Sequence, residues 1–164
     1  MDFSRLNMRR TVVGGVASAL LIISILLLPW FSLTDTPERA SSQSWLCGEG
    51  ELSCTGFETF DIMRWLLLAA ALAPAILAWI IIRGHKLTWP PGELTMVVGF
   101  IAFVLILYNG IMDKPAPDQG LEFGVSLDYG YWVALLSALA IAATGFLRSA
   151  EERGPVQRKA PGTV

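Results

Sequence analysis

Residues 11 to 33 read TVVGGVASALLIISILLLPWFSL, an apolar run with no charge from end to end. A bilayer's hydrocarbon core of about 30 Å needs about 20 helical residues at about 1.5 Å each, so this run is long enough to cross one. Three more runs of similar length follow: IMRWLLLAAALAPAILAWIII at 62–82, LTMVVGFIAFVLILYNGIM at 94–112 and YGYWVALLSALAIAATGFL at 129–147. Only Arg64, near the start of the second, brings a charge into them. The expected fold is an all-α membrane protein over residues 1–148, a four-transmembrane-helix bundle. Its outer loops, 34–61 and 113–128, are expected to form a small disulfide-stapled extracellular cap, in part β. Residues 149–164, polar and twice interrupted by proline, read as a disordered cytoplasmic tail.

The composition agrees. Of 164 residues, 54% are hydrophobic and only 16% charged, an apolar excess that a soluble domain does not carry. Lys and Arg sit in short flanks rather than along one face, which argues against a nucleic-acid partner. Trp30, Trp65, Tyr129, Tyr131 and Trp132 fall at one set of run ends and Trp89 at the other, where aromatic anchors of a membrane–water interface belong. Pro74, inside the second run, removes a helical hydrogen bond and predicts a kink. A cleaved export signal is the alternative for the first run, but the run is long for an h-region and no small-residue cleavage site follows closely.

Charge sets the direction. The segments before run one, between runs two and three, and after run four hold Arg5, Arg9, Arg10, Arg83, Lys86, Arg148, Arg153, Arg158 and Lys159. The other side holds Arg39, Lys114 and, at the boundary, Arg64. By the positive-inside rule both termini are expected in the cytoplasm of a cell whose plasma membrane the chain crosses.

Cys47 and Cys54, the chain's two cysteines, then lie outside, where an oxidising environment favours a disulfide. Gly48 and Gly50 allow the turn between them, and SWLC and ELSC would be the arms of a small hairpin. A redox centre usually has the tighter C-x-x-C spacing. Structural zinc usually takes four ligands, and the single histidine, His85, falls on the far side. In the second outer loop, Leu121, Phe123, Val125 and Leu127 alternate with Glu122, Gly124, Ser126 and Asp128, a period of two that predicts a strand beside the cysteine hairpin. An irregular loop dipping into the headgroups is the alternative.

No charge occupies the centre of any run, so the usual marker of an intramembrane functional site is missing from the sequence. Asp61 and Arg64 are spaced to pair across one helical turn. Glu93, after Pro90 and Pro91, is placed to cap the third helix. Asn109 is the one strongly polar side chain well inside a run and is expected to make an interhelical hydrogen bond. Small residues point to helix packing: Ala134, Ala138 and Ala142 in the fourth run, Gly14 with Ser18 and Gly15 with Ala19 in the first. No catalytic triad, H-E-x-x-H or phosphate-cradling loop is present, so no enzyme activity, cofactor or metal is expected.

LPWFSL closing the first run, TGFETFDIMRWLLLAAALAPA leading into the second and YGYWVALLSALAIAATGFL as the fourth resemble a group of uncharacterised small four-span integral membrane proteins of actinobacteria. That resemblance implies a four-helix bundle in the plasma membrane and carries no catalytic residues. Trp45 ahead of Cys47 and Cys54 is similar, at the level of architecture, to the first outer loop of claudin-like tetraspan proteins. This chain departs from it at Gln43 and Ser44, where that group has Gly-Leu. The function expected is that of a noncatalytic membrane protein, an accessory or envelope-organising subunit touching the bilayer and a protein partner or further copies of itself. A small channel or transporter subunit, and a thiol oxidoreductase using Cys47 and Cys54, are the alternatives.

Overall fold

The computed structural model describes residues 8–33, 47, 53–83, 90–113 and 125–152. Four long helices carry the fold: α1 (Met8–Leu27), α3 (Met63–Ile82), α4 (Pro91–Leu107) and α5 (Tyr129–Glu152). A one-turn helix, α2 (Gly56–Thr59), precedes α3. Neighbours follow the cyclic order α1, α3, α4, α5, with the α4–α5 seam the most extensive and α5 closing back on α1. Gly14 faces Thr144 while Ser24 bonds to Gly130, so α1 and α5 run antiparallel. Gly92 faces Ser149 while Gly110 faces Tyr131, so α4 and α5 do too.

Among the described residues three helices are long and apolar enough to cross a membrane: Met63–Ile82, Pro91–Met112 and Tyr129–Glu151. The first run is the exception. Its apolar helix, Thr11–Leu27, is shorter, and the span expected to Leu33 stops six residues early. The cause is Pro29, whose ring clashes with the preceding helical turn and which disfavours helical backbone at Leu28. Past it the chain extends as β1 (Pro29–Leu33). At α4 proline acts in the opposite sense: Pro91 sits in the first turn, where a missing N–H is harmless, and starts the helix three residues before the expected Leu94. α3 continues through Pro74 to Ile82. α5 runs on to Glu152, past the expected boundary at 147; residues 153–164 lie outside the described residues.

β1 is the middle strand of a three-stranded antiparallel sheet, flanked by β2 (Ser53–Thr55) and β3 (Val125–Leu127). β3 confirms the strand read from the alternating pattern over Val125–Leu127, with Phe31 opposite Leu127 and Leu33 opposite Val125. Among the described strands, however, its neighbour is β1 and not the strand that carries Cys54. Cys54 pairs across to Phe31, so the segment assigned to a transmembrane helix supplies the central strand between the two loops. Of the first hairpin arm only Cys47 is described. The β1–β2 register slips between Pro29 and Phe31, a bulge that lets consecutive Trp30 and Phe31 both turn inward, where a regular pleat would alternate them.

The α4–α5 seam is built from absent side chains. A Cβ on Gly92 would lie 2.6 Å from Ser149 N, one on Gly99 2.9 Å from Ala142 Cα, and one on Gly145 2.7 Å from Met96 Cα. Ala134, Ala138 and Ala142 are all buried, as their spacing led us to expect. On α1, Gly14 and Ser18 face the interior, and Ser18 Oγ bonds to Gly14 O (2.9 Å). Gly15 and Ala19 point outward, and nothing stands within 4 Å of a Cβ placed on Gly15.

Candidate functional site

A buried aromatic cluster fills the place where the sheet meets the helix ends. Trp30, Phe31 and Tyr131 are fully buried there. The Trp30 ring meets Phe60 and Tyr131 edge-on at 6.2 and 6.0 Å, and Phe31 meets Phe60 at 6.0 Å and Tyr131 at 6.5 Å. The three edge-to-face pairs contribute about 0.5–1.5 kcal/mol each beyond their burial, and the Phe31–Tyr131 pair is tilted at 47°. Trp30 and Tyr131 were expected to anchor at the lipid boundary; both are instead enclosed, with Trp30 at the centre of this cluster. Gly56 makes room for it, since a Cβ at that position would stand 2.6 Å from Trp30 Cε2.

Each polar atom in the cluster has a partner. Trp30 Nε1 donates to Ser24 O (2.9 Å) and Ser24 Oγ (3.1 Å), and Ser24 Oγ donates to Gly130 O (2.5 Å), tying α1, β1 and α5 together. Tyr131 Oη donates to Ile106 O (3.2 Å). This contact falls where α4 widens into a single π turn, Tyr108–Met112, closed by the bond from Asp113 N to Tyr108 O (2.9 Å). A π turn leaves carbonyls out of the regular ladder. Here Ile106 O receives the tyrosine hydroxyl and Leu105 O receives Asn109 Nδ2 (2.9 Å). Asn109 therefore bonds within its own helix, not between helices as expected. Gly110 is needed because a side chain there would enter the Tyr131 ring.

Beside the cluster, Cys47 and Cys54 form a disulfide with Cα atoms 5.0 Å apart, both buried and with Leu33 packed against them. Burial keeps an attacking thiolate away, which favours a staple over a redox centre. Changing both cysteines to serine is expected to cost about 2–3 kcal/mol, the loop-closure value for so short a ring. Thermal unfolding in detergent measures it, and an unchanged midpoint would remove the staple from the account. Next along the chain, Thr55 and Glu58 form a reciprocal capping box: Thr55 N donates to Glu58 Oε2 (3.0 Å) and Glu58 N to Thr55 Oγ1 (3.3 Å). Arg64 pairs with Asp61 at 3.8 Å as its spacing predicted, donates to Phe57 O (3.2 Å) and lies over the Phe57 ring at 4.7 Å.

The other expected anchors are distributed around this end. Trp65, Tyr129 and Trp132 are all exposed; Trp89 lies outside the described residues. Sequence reasoning missed Phe31, Phe60, Ser24, Gly56 and Gly110, and on the seam Gly92, Gly99 and Gly145. A signal existed for the seam: Gly92 and Gly99 are one heptad apart, and Gly145 lies three residues from both Ala142 and Arg148. Among the described residues no three His, Cys, Asp or Glu side chains gather to hold a metal ion.

Comparison of the chain with protein-family models, with curated proteins and with solved structures returns no match. What the site can do is therefore read from its chemistry alone: it locks a sheet onto helix ends.

Proposed function

We propose that the chain crosses the plasma membrane four times, with both termini cytoplasmic, and serves as a noncatalytic accessory or envelope-organising subunit. Its helix faces and outer loops would do the work, against lipid and against a protein partner or further copies of itself. The observation that carries the four-span reading is the exposed apolar belt. Large exposed apolar side chains run from Val12 to Leu27 on α1, Ile62 to Trp79 at α3, Val97 to Met112 along α4 and its π turn, and Tyr129 to Leu147 on α5. At about 1.5 Å per residue these bands are about 23–27 Å tall, similar on all four helices although the apolar part of α1, Thr11–Leu27, is shorter than the other three apolar helices. Four matched bands fit one slab of lipid, and an isolated soluble protein would not expose so much apolar surface.

The structural role is supported by what the interior does with its polar groups. Ser18, Ser24, Thr95 and Tyr131 are buried, and each hydroxyl donates to a backbone carbonyl, which leaves these four committed to the fold. The basic residues flanking the end away from the sheet support a cytoplasmic assignment for the termini.

The test is native extraction of the full chain in mild detergent, with crosslinking before lysis. A crosslinked complex of fixed stoichiometry, with a partner or with itself, is expected. Recovery solely as an uncrosslinked monomer would sink the accessory reading, and solute flux in liposomes containing the chain alone would replace it with the channel reading.

A further inference from the structure

We propose that the sheet is seated at the outer headgroup–acyl boundary, flush with the helix ends, so that its immediate partner is the lipid interface and not bulk water. The inference rests on the four-span reading above and concerns the depth of one element within it.

The levels of the elements carry the argument. Ser24, one turn before the end of α1, bonds to Gly130 at the start of α5. Trp30 O accepts Asp128 N (2.9 Å), and the Trp30 and Phe31 rings stand 6.0 and 6.5 Å from that of Tyr131. Tyr131 lies in the first turn of α5 and reaches Ile106 O, six residues before Met112. The inner side of the sheet is thus level with helix that is still inside the exposed belt. That belt continues past it: Ile111 and Met112 are 49% and 77% exposed, Ile62 77% and Tyr129 56%. A sheet standing clear in water would hold these side chains in water as well.

The polar chemistry fits the same depth. Where water is scarce, backbone that is not helical must find its partners within the protein. β1 is paired on both sides, and its one hydroxyl, Ser32 Oγ, is 2.7 Å from Ser126 Oγ, while Ser126 Oγ also lies 3.2 Å from Ser32 O. Trp65 and Trp132, exposed at this end, are the residues that favour the headgroup layer.

Because both native cysteines are tied in the disulfide, a nitroxide can be attached at one introduced cysteine. Four full-length variants, Ile62→Cys, Met112→Cys, Tyr129→Cys and Leu139→Cys, all at exposed sites, would be labelled and reconstituted in phosphatidylcholine–phosphatidylglycerol vesicles. Power-saturation measurements with oxygen and a nickel chelate then report depth. All four labels are expected to favour oxygen, Leu139 most strongly and the three flanking the sheet at values typical of the headgroup–acyl boundary. If those three show the nickel accessibility of a label in water while Leu139 remains in lipid, the sheet stands above the membrane and the proposal falls with four spans intact. If Leu139 also reads as aqueous, the membrane reading itself falls.

Discussion

Replacing Trp30 with alanine is expected to lower stability by about 3–5 kcal/mol, the range for emptying a large aromatic from a packed core. Three losses combine there. The indole leaves a hole among Phe31, Phe60 and Tyr131. Ser24 O and Oγ lose the donor that they share. The strand also loses the side chain on which Gly56 and the α2 turn close. Trp30→Phe restores most of the volume without the N–H, so its deficit should be roughly half as large, with the missing hydrogen bond contributing about 1 kcal/mol of it. Thermal or denaturant unfolding in a fixed detergent gives both values. Wild-type stability for Trp30→Ala would mean that the aromatic cluster is not what holds the sheet to the helices.

Gly145→Leu should be nearly as damaging, for the opposite reason. Its first added atom would stand 2.7 Å from Met96 Cα, and backbone cannot move aside as a flexible side chain can. The α4–α5 seam would have to open along its length, separating Gly99 from Ala142 and Gly92 from Ser149. Overpacking of this kind costs about 1–3 kcal/mol where a core can adapt, and this seam lies at the upper end because the obstruction is main chain. Gly15→Leu is the matched control. It makes the same change on α1 at a position where nothing stands within 4 Å, so its stability should stay near wild type. Equal losses in the two variants would show that helix propensity or lipid contact, rather than the seam, sets the penalty.

Much of this architecture could be read from residue types. The 62–82 run became a helix over Met63–Ile82 almost unchanged, because a long uninterrupted apolar stretch has few other ways to satisfy its backbone. The Ala134, Ala138 and Ala142 stripe was found buried because small side chains at helical spacing have one obvious use. The cysteine bridge followed from placing both cysteines on the oxidising side, with Gly48 and Gly50 to turn the chain between them. The site itself was far less legible. LPWFSL looked like the end of a span, since Trp30 and Phe31 are as apolar as the leucines before them; hydropathy does not distinguish an aromatic facing lipid from one facing a sheet. Pro29 was the available clue.

From the order of its residues alone, the chain determines where its four long apolar helices lie, to within a few residues at their ends, and that Cys47 and Cys54 are close enough to bridge. Those properties depend on neighbours a few positions away. Tertiary structure alone decided that β1 lies between β2 and β3, that Gly14 and not Gly15 meets α5, and that Tyr131 packs on Gly110. It also decided that Trp30 is enclosed. Each of these depends on what a distant segment places opposite the residue: Ser126 across from Ser32, Thr144 against Gly14, Tyr131 against Gly110. Such pairings are set by the packing of the whole molecule, and periodicity within one segment does not contain them.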